Sequence, residues 1–456
     1  MHRRDFLFKS ASGLSTLALG TLLAGNKIAH FAPRAKSVIY LYMSGGPSQM
    51  DLMDHKPLLS KHDGQDAPKE FMEGKRFAFI KGIPKLGGTR WKFAKRGQCG
   101  TQISDLLPGL SSVIDDVTVI NSMHTEQFNH DPAATLMMTG SAISGRPGMG
   151  SWLSYGLGSE NENLPAFVSM VSGQGSQPVQ SRLWSSGFLP SNFQGVQFRS
   201  LGDAVLSVNN PAGIDARGRE ESVKAINELN RLHHQRVIDP EIITRIKSYE
   251  LAYNMQTSVP ELMDISSEPD HIHKLYGTQP GKKAFANNCL LARRLVERGV
   301  RFVQLSHTGW DHHGGGKRNL IKDLPLECRQ TDQSSAALIA DLKQRGMLDE
   351  TLVVWGGEFG RTPMAQGKTS KDNMGRDHNP FGFSVWLAGG GVKGGVHGAT
   401  DDFGYEAVED KASVFDLQAT ILHCMGIDHE KLTYRFQGRD FRLTDVFGAP
   451  IKKILR

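Results

Sequence analysis

The feature that most constrains this chain is a series of short apolar runs rich in β-branched residues, each followed by a polar loop. Four of these runs predict buried parallel strands and a fifth has the same character: Ser37–Met43, Val117–Asn121, Val300–Leu305, Leu352–Trp355 and Phe383–Ala388. Segments with apolar residues at helical spacing lie between them, such as Asn288–Gly299. The alternation predicts an α/β fold with a mostly parallel central sheet and helices on both faces.

One segment departs from this alternation. Residues 212–280 are charged and helix-favouring, with almost no strand signal and with Pro240 and Pro260 as interruptions. We interpret them as a helical insertion of about 212–280 in a single domain that spans residues 31–456. The 456 residues are 39% hydrophobic and 22% charged, which is typical of a globular chain with a large core.

The N-terminus carries an export pattern. Arg3 and Arg4 precede Phe6 and Leu7, and a mildly apolar stretch of residues 10–25 follows. This is typical of a twin-arginine signal, here residues 1–30, and predicts export through the twin-arginine machinery to the periplasm or cell envelope. The stretch is shorter than the roughly 20 apolar residues that span a bilayer, so cleavage is favoured over a retained anchor. The sequence contains no second long apolar run, so no stable membrane span is predicted in the mature chain.

The charge and the cysteine content argue against two kinds of site, a nucleic-acid interface and a cysteine-based zinc or redox motif. The formal net charge is +6, but residues 1–30 supply half of it and the rest forms no basic block, so no nucleic-acid partner is predicted. The four cysteines form no C-x-x-C pair, which argues against a zinc knuckle or a redox motif.

Five loops beside the predicted strands carry the residues suited to chemistry. They contain Asp51 and Asp54; His124, His130 and Asp131; Asp311, His312 and His313; Glu358 and Arg361; and Asp377 and His378. Because ligands bind where parallel strands end, we expect these loops to meet at one edge of the sheet. The closely spaced Asp and His residues of the third loop suit zinc or manganese.

Two residues have more specific predicted roles. Arg361 is suited to clamp a tetrahedral oxyanion with two N–H groups. His130 is expected at a helix N-terminus, where an anion is attracted. Four of the loops also have a simpler interpretation: a turn around Asp51, a structural histidine at position 130, a solvated histidine-rich loop at 311–313, and a Glu358–Arg361 salt bridge that closes a turn.

These motifs resemble an uncharacterised family of exported bacterial sulfatase-like proteins, the domain-of-unknown-function (DUF) 1501 family. The resemblance covers nearly the whole mature chain and rests on Gly45-Gly-Pro-Ser-Gln-Met-Asp51, Thr139-Gly140, Gly309-Trp-Asp311-His-His313, Gly357-Glu-Phe-Gly-Arg-Thr-Pro363 and Gly375-Arg-Asp-His378. The family is similar in fold to the alkaline phosphatase superfamily, which includes sulfatases. The resemblance therefore implies an alkaline phosphatase-like three-layer sandwich.

The resemblance also implies a set of metal ligands: Asp51, Asp311, His313, Glu358 and His378, with His124, His312 and Asp377 as further candidates. Two residues depart from the superfamily pattern. His130 occupies the position of the nucleophile, and Phe359 replaces a metal-ligand histidine. We therefore expect His130 to act as a further ligand, and we expect one or two divalent ions, zinc or manganese.

The leading hypothesis from the sequence is an exported metal-dependent hydrolase of small-molecule or glycan sulfate or phosphate esters. Metal-activated water would be the nucleophile, and Arg361 would hold the equatorial oxygens. Covalent attack by His130 is an alternative mechanism. A catalytically silent protein that binds an anionic glycan or a partner through the same cleft is the rival from another class, since fold does not determine function.

Overall fold

A computed structural model describes residues 29–75, 83–175, 179–205, 210, 213–315, 318–366, 370 and 372–456. Almost all of the predicted signal peptide, residues 1–30, lies outside the described residues, so it stays a prediction. Within the described part of the chain, no helix combines the length and apolar character needed to cross a membrane.

Strands and helices alternate along the described chain. The strands are β1 Ser37–Ser44, β2 Phe93–Arg96, β3 Thr101–Ser104, β4 Val117–His124, β5 Phe167–Gly173, β6 Val196–Phe198, β7 Phe302–Thr308, β8 Thr351–Gly356, β9 Gly360–Ala365, β10 Arg376–Asn379, β11 Phe383–Ala388, β12 Gly395–His397, β13 Ala399–Thr400, β14 Ala407–Glu409, β15 Ala412–Ser413, β16 Tyr434–Phe436 and β17 Arg439–Phe441. The α-helices are α1 Gln49–Leu52, α2 Pro57–Lys61, α3 Lys69–Met72, α4 Pro108–Ser112, α5 His130–Thr139, α6 Met149–Leu157, α7 Ala216–Val237, α8 Pro240–Met263, α9 Asp270–Tyr276, α10 Phe285–Glu297, α11 Leu320–Gln344 and α12 Val414–Cys424.

Nine strands form one central sheet in the order β12-β4-β11-β8-β1-β7-β5-β6, with β15 also paired to β4. Parallel ladders join β1 to β7 and β8, β5 to β6 and β7, and β4 to β12 and β15. Strand β11 is antiparallel to both β4 and β8. The sheet is therefore mixed but mostly parallel, and the prediction of an α/β fold is confirmed.

The direction of β11 corrects one detail of the sequence prediction. Phe383–Ala388 is a buried strand, as expected, but it is antiparallel. An apolar run indicates that both faces of a strand are buried, not which way the strand runs. Because β11 is reversed, it begins at the edge where its parallel neighbours end. The residues just before it, including His378 on β10, therefore reach that edge.

Helices cover both faces of the sheet. Alternate residues of β1 point to opposite faces, so Ile39 packs in one core cluster with Leu290 of α10 and Leu338 of α11. Tyr40 packs in the other cluster, with Met137 of α5 and helices α6 and α12. The sheet is thus the middle of three layers.

The segment at 216–276 contains three helices, α7 to α9, and no strand. Asn227 and Arg231 of α7 both donate to Glu250 of α8, so these two helices pack against each other. Just after α8, Glu268 pairs with Arg293 of α10 at 2.7 Å. The helical content agrees with the expected insertion of about 212–280. The division into one domain plus an insertion stays a prediction.

A glycine at the end of α5 allows a close approach. Gly140 has φ +69°, and a Cβ there would lie 1.7 Å from the carbonyl oxygen of Leu443. Gly100, in the turn between β2 and β3, has the same φ with open space around it.

We expect Gly100→Ala to cost about 1–2 kcal/mol of unfolding free energy, which is the cost of a left-handed L-residue. Gly140→Ala should cost clearly more, because the Leu443 backbone must also move. Urea unfolding measures both, and equal losses would contradict this close approach.

Candidate metal centre

Four side chains from three parts of the chain meet at the carboxyl edge of the sheet. His130 is the first residue of α5, Asp311 and His313 follow β7, and His378 lies on β10. One ligand atom from each lies within 4.8 Å of all the others, and this is the one such group of His, Cys, Asp and Glu found among the described residues. The structure thus brings residues from three of the five predicted loops together in one candidate metal centre.

The contacts within this centre converge on Asp311. Its Oδ1 lies 2.7 Å from His313 Nε2 and 3.3 Å from the Nε2 atoms of both His130 and His378. The Nε2 atoms of His313 and His378 are 2.9 Å apart. Two imidazole lone pairs at that separation repel each other unless a proton or a cation lies between them.

Each of the three imidazoles is held from behind through Nδ1. The acceptors are Glu358 Oε1 for His130 at 2.6 Å, the Phe128 carbonyl for His378 at 2.7 Å, and Gln366 Oε1 for His313. Because these oxygens only accept, Nδ1 carries the proton. The Nε2 lone pair is then left facing the centre, which is the tautomer that a metal ligand needs.

Burial and neighbouring charges shift the pKa values of the groups in this centre in different directions. Burial would raise the pKa of Asp311, but its close contacts with the three imidazoles and the charge of Arg361 hold it well below its usual range. Burial would lower the pKa of His130, but Asp311 and Glu358 outweigh this and raise it to about 9. Burial and the charges of Arg361, His130 and His313 lower the pKa of His378 to about 3, despite its contact with Asp311. Near neutral pH, Asp311 is ionised and His378 is neutral, as metal coordination requires, whereas His130 is protonated and would release its Nε2 proton when a metal ion binds.

The donors fit a divalent metal ion. His130 Nε2 is buried and forms no hydrogen bond with any described residue, although it lies near Asp311. Three imidazole nitrogens and a carboxylate oxygen are donors typical of sites for zinc and other first-row divalent ions. Phe359 is 1% exposed and its ring packs against His130 and His378 at 5.0 and 4.5 Å between centroids. The residue that departs from the superfamily pattern therefore forms an apolar wall behind two of the candidate ligands.

Glu358 supports the centre but does not belong to the group of ligand atoms. Its carboxylate is fully buried and accepts from Tyr42 Oη, from the backbone N–H of Gly45 and from His130 Nδ1. The sequence interpretation made Glu358 a metal ligand. In the structure its oxygens are occupied by these donors, one of which is the candidate ligand His130, and its own role as a metal ligand stays a prediction.

Asp51 also lies outside the group. It is fully buried in α1, where Arg376 Nε and Nη2 contact its two oxygens at 2.8 and 3.3 Å. Ser48 Oγ donates to the same carboxylate at 2.6 Å. The charge of Arg376 already compensates this carboxylate, and the role of Asp51 as a metal ligand stays a prediction.

Arg361 does not have the predicted geometry of a substrate clamp. It is 1% exposed, and Nε and Nη1 donate to the carbonyls of Gly46 and Arg376 at 2.8 and 3.0 Å. Nη2 donates to the Gly45 carbonyl and, at 2.6 Å, to Asp311 Oδ1. With its nitrogens directed at protein oxygens, Arg361 joins the loops and neutralises Asp311. Its guanidinium group is not free to donate two parallel hydrogen bonds to a tetrahedral anion.

The three further candidates also lie outside the group. His124 is at the end of β4, beside Ser413, and burial lowers its pKa. His312 is 1% exposed, and burial followed by the charges of Arg361 and Arg318 lowers its pKa well below the usual value. Asp377 accepts the backbone N–H of His378 at 2.8 Å, so it contacts a candidate ligand without being one of the four.

Three residues that support the centre were not predicted. Gln366 and Tyr42 act through side chains that no motif singles out, and Phe128 acts through its backbone carbonyl. Every residue has a backbone carbonyl, so a contact through this group cannot be predicted from the residue type. Tyr42 gives one weak signal, a phenol in an otherwise apolar strand close to the first loop.

The family described as "Protein of unknown function (DUF1501)" matches residues 35–455. The chain belongs to this family. The match contains the whole central sheet and all four residues of the candidate metal centre, which confirms the resemblance inferred from the motifs. No curated protein matches the chain.

Solved structures similar to this DUF1501 chain include sulfatases and members of the alkaline phosphatase superfamily, as the resemblance implied. The PsFucS1 sulfatase from Pseudoalteromonas sp. is 12% identical over 91% of this chain and 72% of that chain, with a TM-score of 0.37. The lipoteichoic acid synthase LtaP from Listeria monocytogenes is 8% identical over 92% and 80%, with a TM-score of 0.35. An alkaline phosphatase superfamily protein from Vibrio parahaemolyticus is 10% identical over 88% and 69%, with a TM-score of 0.34. Likeness at this level carries no argument about chemistry, which must come from the site itself.

Proposed function

We propose that this DUF1501 protein is a metal-dependent hydrolase of sulfate or phosphate esters, with a small-molecule or glycan ester as substrate. The observation that carries the proposal is the convergence of three imidazole Nε2 atoms and the Asp311 carboxylate within 4.8 Å. A divalent ion bound there, zinc or manganese, would polarise an ester oxygen and lower the pKa of a water molecule, the proposed nucleophile.

The residues of the chain prepare the site for an anionic ester. Glu358, Gln366 and the Phe128 carbonyl hold the three imidazoles in one orientation. His130 is the first residue of α5, so the positive end of the helix dipole lies beside the centre and favours a sulfate or phosphate group. Phe128, whose backbone carbonyl contacts His378, has a side chain that is 42% exposed and would offer an apolar surface to the alcohol part of the ester.

Export is part of the proposal. The twin arginines at positions 3 and 4 and the apolar stretch that follows support transport through the twin-arginine machinery to the periplasm or cell envelope. That route carries folded proteins, which suits a metal centre assembled from residues as distant as His130 and His378.

One observation favours the alternative, a silent protein that binds an anionic glycan or partner. Four protein ligands would close a tetrahedral zinc site, whereas catalytic zinc sites usually have three and leave one position open. An ion with more coordination positions, such as manganese, would leave room for substrate beside the same four residues. The identity of the bound metal therefore separates the two functions.

The test is metal analysis followed by hydrolysis assays. The purified protein should contain close to one equivalent of a transition metal. It should hydrolyse an aryl sulfate or an aryl phosphate, lose that activity in a chelator, and regain it when the metal is returned. Bound metal without turnover on a broad ester panel would support the binding protein instead. Absence of bound metal after supplementation with zinc and manganese would contradict both versions of the site.

A further inference from the structure

A buried tyrosine lies behind the candidate metal centre, on the side away from solvent. Tyr42 of β1 is fully buried, and its hydroxyl donates to Glu358 Oε2 at 2.9 Å. Glu358 Oε1 in turn accepts from His130 Nδ1 at 2.6 Å. Tyr42, Glu358 and His130 thus form a continuous chain of hydrogen bonds from the middle layer of the fold to the centre.

A buried carboxylate needs every donor that reaches it. Glu358 is fully buried, and among the described residues the other donor to it besides Tyr42 and His130 is the backbone N–H of Gly45, at 2.9 and 3.2 Å from its two oxygens. An ionised group in such a place is costly unless its lone pairs are satisfied. Without the Tyr42 hydroxyl, Oε2 would retain only the longer of the Gly45 contacts, and the carboxylate would be free to rotate away from His130.

Tyr42 is suited to remain a donor. Burial, followed by the charge of Glu358, holds the pKa of its phenol well above the usual value. The hydroxyl therefore keeps its proton near neutral pH, and its hydrogen bond has one direction, towards Glu358.

We propose that Tyr42 is a positioning residue of the metal centre, which fixes the Glu358 carboxylate so that His130 keeps Nε2 directed at the metal. This inference rests on the proposed metal site and adds a residue outside every predicted motif. Tyr42 touches neither the ion nor the substrate. It acts two contacts away, by setting the orientation and tautomer of one ligand.

The chain offers a matched control two residues earlier on the same strand. Tyr40 is also fully buried on the same face of β1, and its ring centroid is 6.5 Å from that of Tyr42. Its hydroxyl forms no hydrogen bond with any described residue. Tyr40→Phe and Tyr42→Phe each remove one buried hydroxyl from the same layer, but only the second removes a bond to Glu358.

The experiment is a competition titration of the full chain, emptied of metal, with zinc and a chromogenic chelator. We expect Tyr42→Phe to weaken zinc binding by about 10–100-fold, the usual cost of losing an outer-shell partner of a metal ligand. Tyr40→Phe should bind zinc as the unsubstituted protein does. The visible spectrum of the cobalt-loaded protein should change in Tyr42→Phe and remain unchanged in Tyr40→Phe.

A second variant shows whether the effect passes through His130. In a His130→Ala background, Tyr42→Phe should cause no further loss of zinc affinity, because the ligand that it positions is gone. Equal affinities and spectra for Tyr42→Phe and Tyr40→Phe would overturn the proposal for Tyr42 while leaving the metal site intact. An additional loss in the His130→Ala background would assign Tyr42 a general structural role instead. A chain that binds no zinc, cobalt or manganese before any substitution would overturn the metal site itself.

Discussion

His378→Ala is expected to abolish ester hydrolysis and to weaken metal binding by more than about 100-fold. That factor is the upper end of the loss seen when an outer-shell partner is removed, whereas His378 is a candidate ligand itself. His378 supplies one of the four ligand atoms, and its ring also contacts those of His130 and His313. The variant should therefore be isolated with little metal, and excess zinc or manganese should not restore its activity. Metal analysis and aryl ester hydrolysis measure the two effects.

His429→Ala is the matched control for that prediction. Both histidines are 7% exposed, and His429 bonds through Nδ1 to Thr444 Oγ1 at 2.9 Å, away from the candidate centre. Loss of either imidazole removes a buried ring and a hydrogen bond. Only the loss of His378 should release the metal. If both variants lost metal equally, the effect would reflect general unfolding, and the assignment of His378 as a ligand would be contradicted.

Arg376→Met is expected to destabilise the fold by about 3–5 kcal/mol, the usual cost of leaving one partner of a buried ion pair uncompensated. Arg376 and Asp51 are both fully buried and contact each other at 2.8 Å. The exposed pair of Lys36 and Glu350 has a similar separation, 2.7 Å, with more than half of each side chain exposed. Lys36→Met should therefore cost far less stability than Arg376→Met, because water screens this exposed pair. Urea unfolding measures both changes.

A double variant, Asp51→Leu with Arg376→Met, tests the cause of that loss. If the cost comes from an unpaired buried charge, the double variant should be more stable than Arg376→Met alone. A double variant that is less stable than the single one would show that the lost packing of Arg376 dominates. An Arg376→Met protein with unchanged stability would contradict the structural role given to Asp51.

The sequence predicted the architecture well because burial pattern and element order are local properties. Five apolar runs correspond to five strands of the central sheet, but β5, Phe167–Gly173, was not predicted. Ser169 and Ser172 interrupt its apolar pattern, and Ser172 is buried where its hydroxyl bonds to His307 Nδ1 at 2.9 Å. The orientation of β11 was not predicted either, since a buried run has the same composition in either direction.

The sequence predicted which residues meet at the candidate site better than it predicted what each of them does there. His130, Asp311, His313 and His378 do meet, because each lies beside the end or start of a strand at one edge. Asp51 and Glu358 depend instead on partners more than 300 residues away, Arg376 for Asp51 and Tyr42 for Glu358. Residue type alone does not reveal whether a carboxylate is free for a metal or already paired with a donor.

The most direct test of the central claim is a crystal structure of the metal-loaded protein, with anomalous scattering recorded at the absorption edge of the metal. The account predicts one anomalous peak, within coordination distance of Nε2 of His130, His313 and His378 and of the Asp311 carboxylate. A fully occupied metal bound elsewhere, for example at Asp51, or no peak among these four side chains, would contradict it.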